Sequence, residues 1–314
     1  MAEPRVLICG SIAFDTIMVF ADRFRNHILP EKVHMLNVAF TVHEMRREYG
    51  GCAGNIGYNM QMLGAAPVMM ATVGDDAQPY RDRFGSIGLD ATHVKTIPGT
   101  FTAQAFITTD LDDNQITAFH PGAMGMSHQI DAGEAKDIAL GIIAPDGRDG
   151  MLLHARQMRD AGISFIFDPG QAMPLFDGEE LRGLVDSADY LAVNDYESEM
   201  LQERTGLTRH QLAGKVKAMV VTRGAEGSQI LAGEQSFDIP AVAPEREVDP
   251  TGCGDAYRAG LLYGIVHGWD WAQTGRLASL LGSLKIAERG GQNHHFDRGT
   301  IGARYQKAFG TPLW

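Results

Sequence analysis

The chain has 314 residues, 44% hydrophobic and 21% charged, with a formal net charge of −12. Such a composition supports a globular protein with ample core, and its acidity argues against a nucleic-acid backbone as partner. Three cysteines, Cys9, Cys52 and Cys253, are too few and too scattered for a disulfide framework or a zinc site.

No apolar run approaches the ~18 residues of a membrane span, so no membrane partner is expected. The first residues read as the entry to a strand rather than as a signal peptide, and the expected setting is a reducing cytoplasm. Residues 5–10 are a short apolar run ending in glycine, the pattern of a buried strand. Residues 54–63 read as a helix stopped by Gly64. Residues 68–73 read as a strand closed by Gly74-Asp75-Asp76, and 80–87 as a helix closed by Gly88. Three further strands are expected at 164–167, 190–193 and 218–222, with helical patterns such as 178–185 and 196–205 between them. Alternation of this kind implies an α/β sheet, mostly parallel and covered on both faces.

Two stretches break the alternation. Residues 17–49, with a pattern at 33–38, and residues 101–120 read as strands, the second as a hairpin turning at Asp112-Asp113-Asn114. Insertions at about 16–49 and 98–122 would then form a small β lid over one domain spanning 1–314. Gly10, Gly74, Asp168, Asn194, Thr222 and Gly224 fall just after strands, where open α/β sheets bind ligands.

The most informative stretch is Asp249-Pro250-Thr251-Gly252-Cys253-Gly254-Asp255, followed by a helical pattern to Gly260. Small residues at a helix start leave backbone N–H groups open to an anion. A carboxylate there is a poor anion ligand, but it suits a base that activates a hydroxyl toward a phosphate. A plain turn and N-cap would also produce these residues. Gly50-Gly51-Cys52-Ala53-Gly54-Asn55 is a second glycine loop before a helix, with Asn55 suited to a diol. Asp15, after the first strand, could accept from sugar hydroxyls, or be an ordinary turn aspartate. Asn194 and Glu197 fit a capping box, or a place beside hydrated Mg²⁺ and phosphates. Thr222, Gly224 and Gly227 form a loop that could border a nucleotide, or simply close a hairpin. The methionines 60, 62, 69 and 70 read as core filling, and His294-His295 as a surface loop. Cys253 at a helix start could carry a lowered pKa and be open to oxidation, or be a small residue in a tight turn.

In order and spacing these segments resemble the ribokinase-like carbohydrate and nucleoside kinase family, often called the PfkB family. The resemblance covers nearly the whole chain. One signature runs from Gly50-Gly51 through Asn55 to Gly64 and Gly74, the other from Asp249 to Gly260, and Asn194 to Glu197 is the Asn-x-x-Glu element. Gly57 and Cys253 depart from the usual small residues without removing a reacting group.

The resemblance implies a central, mostly parallel sheet flanked by helices, with a small β-sheet lid. It implies Asp255 as catalytic base and Gly252, Cys253 and Gly254 as anion hole for the γ-phosphate. Asp15, Gly50, Gly51 and Asn55 would hold the acceptor's hydroxyls, and Thr222, Gly224 and Gly227 would border ATP. Ser279 begins a segment to Gly291 that would flank adenine. Glu197 and Asn194 would serve Mg²⁺. A monovalent cation such as K⁺ would sit on Asp249 and carbonyls near Thr251 and Ile286. Asp255 at a helix N-terminus is expected to stay ionised, a weak base sufficient for a loose transition state.

Finer resemblance points to the bacterial and archaeal nucleoside (adenosine) kinase-like branch, through residues 167–171, 194–197 and 249–255 together with 108–112 and 118–122. Phe119, His120 and Gln171 could then form a wall and donors for a base, or pack the lid. The expected activity is ATP-dependent phosphorylation of a nucleoside 5′-hydroxyl, with adenosine favoured over inosine or guanosine. A ribokinase or other sugar kinase is the rival enzyme, and a nucleotide-binding regulator without turnover the rival class. Lid strands in this family can pair across subunits, which leaves a homodimer open.

Overall fold

The computed structural model describes residues 3–35, 37–112 and 114–314. Its larger sheet has nine strands. The strand β1 (Arg5–Cys9) lies between β4 (Ala66–Val73) and β8 (Ile138–Ile143). Outward from β4 comes β5 (Asp90–Thr96). Outward from β8 come β9 (Phe165–Phe167), β10 (Tyr190–Asn194), β11 (Ala218–Thr222), β12 (Ser228–Ala232) and β13 (Gln235–Ile239). Pairings from β5 to β11 are parallel, whereas β12 and β13 close the edge as an antiparallel hairpin.

Alternate residues of β1 feed opposite cores, which explains why it reads as a continuous apolar run rather than an alternating one. Val6 and Ile8 pack on the side of α1 (Cys52–Met62), α2 (Gln78–Ile87), α7 (Cys253–Val266), α8 (Trp271–Lys285) and α9 (Arg298–Phe309). Leu7 and Cys9 pack on the side of α3 (Arg148–Asp160), α4 (Gly178–Ser187), α5 (Asp195–Thr205) and α6 (Arg209–Ala213). Met60, Met69 and Met70 are fully buried core filling. The helix α7 is buried from Ala256 to Gly264, and Gly260 lets it approach α8 closely, since a Cβ there would lie 2.4 Å from the Ala278 Cα.

The smaller sheet runs β3 (Val42–Gly50), β2 (Ala13–Phe20), β6 (Ala103–Thr109), β7 (Gln115–His120). The expected hairpin is β6–β7; of its expected turn, Asp113 lies outside the described residues. The Asp110 carboxylate ties that turn by accepting from the backbone N–H of Asp112 and of Asn114, both at 2.9 Å. The strand expected at 33–38 is absent where the chain is described: residues Pro30–Met35 form a 3₁₀ segment, and Leu36 lies outside the described residues. Proline opens that segment, and Phe40 packs on Phe20 and Phe24 at 4.8 and 5.0 Å between centroids. An aromatic cluster, not a further strand, therefore anchors the connection between the paired strands β2 and β3.

Candidate active site

The turn before α7 is held by Asp249. Its carboxylate accepts from Thr251 N–H at 2.9 Å and from Gly290 N–H at 2.8 Å, which ties residues 249–251 to the segment after α8. Gly252 caps the helix at φ 79°, a left-handed conformation that favours glycine. The Cys253 N–H donates to the Pro250 carbonyl at 3.1 Å, so this donor, expected to face an anion, is engaged inside the turn. Among the described residues, the N–H groups of Gly252, Gly254 and Asp255 have no protein acceptor and remain for a ligand.

The second glycine loop abuts this turn. Gly51 caps α1 at φ 86°, and a Cβ there would lie 2.5 Å from the Ser11 carbonyl. A Cβ on Gly50 would lie 2.4 Å from a carboxylate oxygen of Asp15, so the glycine makes room for that carboxylate. Asn55, in the first turn of α1, is buried between Gly252 and Gly291. Its Nδ2 donates to Asp255 Oδ2 at 2.8 Å. Its Oδ1 accepts from Gln292 Nε2 at 3.2 Å, and the Tyr80 hydroxyl links Gln292 (2.7 Å) to the Gly50 carbonyl (2.6 Å). One buried chain of hydrogen bonds thus spans both glycine loops and ends on Asp255, which fixes its carboxylate plane.

Electrostatics mark the same spot. Burial, then the charges of Asp249, Asp255 and Glu48, pushes Asp15 up to about 6. Burial also pushes Asp255 up to about 6; the Asn55 hydrogen bond and the Arg258 charge oppose that rise, and the Asp168 charge adds to it. The expected helix-end depression is therefore reversed: desolvation outweighs the dipole. Asp255 remains mostly ionised at neutral pH but is a stronger base than an ordinary carboxylate.

Arg258, one turn further along α7, was not anticipated. Its Nε and Nη2 make a bidentate pair with Asp168, at 3.0 and 3.1 Å, with both side chains buried. The pair joins α7 to the end of β9. A polar position in an apolar helical run was its signal, masked by the neighbouring signature. Asn194 and Glu197 form a reciprocal capping box, at 2.8 and 2.7 Å, so the structural explanation of that pattern holds. Burial raises the Glu197 carboxyl, with Asp168 and Arg258 as charged neighbours. One carboxylate with an oxygen left over suits Mg²⁺, which keeps most of its waters and leans on substrate phosphates.

Thr222 ends β11, Gly224 follows at φ 54°, and Gly227 lies against β13, where a Cβ would fall 2.1 Å from the Ile239 carbonyl. The Ser279 hydroxyl donates to the Pro240 carbonyl at 2.8 Å. Residues 240–245, the last turns of α8 and the end of α9 enclose a cleft of about 460 Å³. His294 is buried, contrary to the expected surface loop: its Nε2 meets Asn59 Oδ1 at 2.8 Å, and burial pushes its pKa down to about 3. Cys253 likewise departs from the reactive reading, since burial pushes its thiol up to about 11.

Strand register places the lid residues. Asp15 pairs with Ala105, and Ala105 with Phe119, so these three side chains share a face. His120 pairs with Gln104 and takes the opposite face, with its ring edge-on to Phe101. The structure does not bring His120 to Asp15; its neighbour Phe119, 53% exposed, lies on that side. Gln171 is exposed on the 3₁₀ turn Gly170–Leu175 after β9.

A mostly parallel nine-stranded sheet, a four-stranded lid and a carboxylate at a glycine-capped helix start define a ribokinase-like phosphotransferase with an alcohol group as acceptor. The chain belongs to the pfkB family of carbohydrate kinases, which it matches over residues 14–297. It is 30% identical to a nucleoside kinase of Methanothermobacter thermautotrophicus, over 99% of this chain and 98% of that one. The nucleoside kinase of Burkholderia thailandensis, solved in complex with inosine, is 54% identical with a TM-score of 0.90, over 98% of this chain and 99% of that one. The same protein with ADP and inosine superposes with a TM-score of 0.87, over 98% of this chain and 97% of that one.

Proposed function

We propose that this protein transfers the γ-phosphate of MgATP to the 5′-hydroxyl of a purine nucleoside. The observation that carries the reading is the 2.8 Å hydrogen bond from Asn55 to Asp255, which joins the two glycine loops at the helix start. Asp255, held at that angle, takes the proton of the attacking hydroxyl. The free N–H groups of Gly252 and Gly254 face the phosphoryl group as its charge spreads. A base near pKa 6 suits a late proton transfer in a loose transition state. Asp15 and the Gly50–Gly51 loop would receive the ribose hydroxyls, and Phe119 would offer an apolar wall to the base. The cleft behind Ser279 would take adenine. Mg²⁺ neutralises phosphate charge when bound, and Glu197 would hold its waters.

The sequence by itself favours adenosine. The inosine complex of the 54% identical relative moves inosine to the head of the panel. The test is a coupled ADP-release assay with inosine, adenosine, guanosine, uridine, ribose and fructose. Turnover of nucleosides with ribose inactive is expected; ribose or fructose as the better acceptor would make it a sugar kinase.

A further inference from the structure

We propose that the ammonium group of Lys285 is a built-in cation that holds the anion-hole turn in place, so that catalysis needs no monovalent metal ion. Lys285 is the last residue of α8 and is fully buried. Its Nζ donates to the Asp249 carbonyl at 2.8 Å and to the Glu288 carbonyl at 3.0 Å. Those carbonyls belong to the two segments that meet behind Gly252. A helix C-terminus favours a cation and offers carbonyls to a lysine.

Asp249 and the Ile286 carbonyl, oxygens that would otherwise suit a monovalent ion, already accept protein donors. Both carboxylate oxygens of Asp249 accept backbone N–H groups, from Thr251 and Gly290. The Ile286 carbonyl accepts from Val248 N–H at 2.9 Å and from Asp249 N–H at 3.1 Å. The ammonium therefore supplies what an ion would: positive charge, and donors to carbonyls from two strands of chain. Burial lowers the Lys285 pKa, and the charges of Asp249, Cys253, Asp255 and Glu288 oppose that fall. Asp15, Asp249 and Asp255 crowd together here, and a fixed cation offsets their mutual repulsion as phosphates arrive. Lys285 acts through the turn and is a positioning residue; the role rests on reading that turn as an anion hole.

The test is steady-state kinetics with MgATP and inosine in tetramethylammonium chloride, with and without added potassium, on the wild type and on Lys285→Gln. Wild-type kcat should change by less than about twofold on adding potassium, while Lys285→Gln should lose about a hundredfold in kcat with inosine KM nearly unchanged. Potassium or ammonium should restore roughly tenfold of that loss, which a merely structural role would not allow. Potassium activation of the wild type by about tenfold or more overturns the proposal. So does a folded Lys285→Gln with wild-type kcat, or a loss that no cation reverses. If the variant does not fold, the wild-type cation dependence decides alone. If the wild type phosphorylates no nucleoside in any salt, the kinase reading fails instead. MgADP affinity in the same salts then tests Lys285, and potassium-dependent binding would overturn its role.

Discussion

Replacing Asp255 by Asn should separate catalysis from stability, in opposite directions. The native carboxyl titrates at about 6 against a reference of 3.8, because burial disfavours its charge. Two pH units correspond to about 3 kcal/mol, and the partial exposure of Asp255 reduces this to about 1–2 kcal/mol. The folded-state pKa is the higher one, so the native state binds the proton more tightly than the unfolded chain. The penalty for the ionised form is absent below the unfolded value and complete above the folded one. Asp255→Asn should therefore melt higher than wild type near pH 8 and lose that advantage near pH 4. The amide oxygen of the new side chain can still accept from Asn55, so the hydrogen bond is not a confounding loss. In the same variant kcat should fall by about 10³-fold, since the base is gone. Melting curves at the two pH values and nucleoside-dependent ADP release measure both effects. A Tm that falls near pH 8 would refute the desolvation argument. Activity within about tenfold of wild type would remove Asp255 from its role.

Further outcomes follow from neighbouring groups. With Asp15 and Asp255 both at about 6, kcat/KM should fall below pH 6 more steeply than one proton allows; a single-proton limb near pH 4 would contradict the burial of both. Arg258→Met leaves the Asp168 carboxylate buried without its bidentate partner and should destabilise the fold by about 3–5 kcal/mol, read by urea unfolding. An unchanged unfolding midpoint would show the pair to be dispensable. With its thiol pushed up to about 11, Cys253 should resist iodoacetamide at neutral pH. Rapid alkylation mapped to Cys253 by mass spectrometry would reverse that assignment.

The lid shows how far period-2 patterning reaches. Strands at 105–109 and 115–119 were legible, but their alternation does not say which face meets the substrate. Only the pairing of Asp15 with Ala105 and of Ala105 with Phe119 puts Phe119 on the Asp15 side and turns His120 away. The pattern at 33–38 misled because a short mixed run of Val, Met and Leu with His and Asn reads as a strand, while a proline start and a remote aromatic cluster decide the local conformation. His294 illustrates the same limit: beside His295, which is exposed as expected, it looks exposed until α1 is packed on it.

By itself the sequence determined the α/β alternation, the two glycine loops and the carboxylate at the start of α7. These are local properties, set by side-chain volume, backbone freedom and the period of apolar residues along a few turns of chain. Tertiary structure alone decided that Asn55 orients Asp255, that Tyr80 and Gln292 brace Asn55, and that Arg258 is neutralised by Asp168. It also decided that Asp255 has a raised pKa rather than the depressed one its helix position suggests, and that Lys285 reaches the turn before α7. Hydrogen-bond partners as far apart as Asn55 and Gln292, 237 residues along the chain, and the desolvation of a charge depend on which segments are packed together, and no local pattern carries that information.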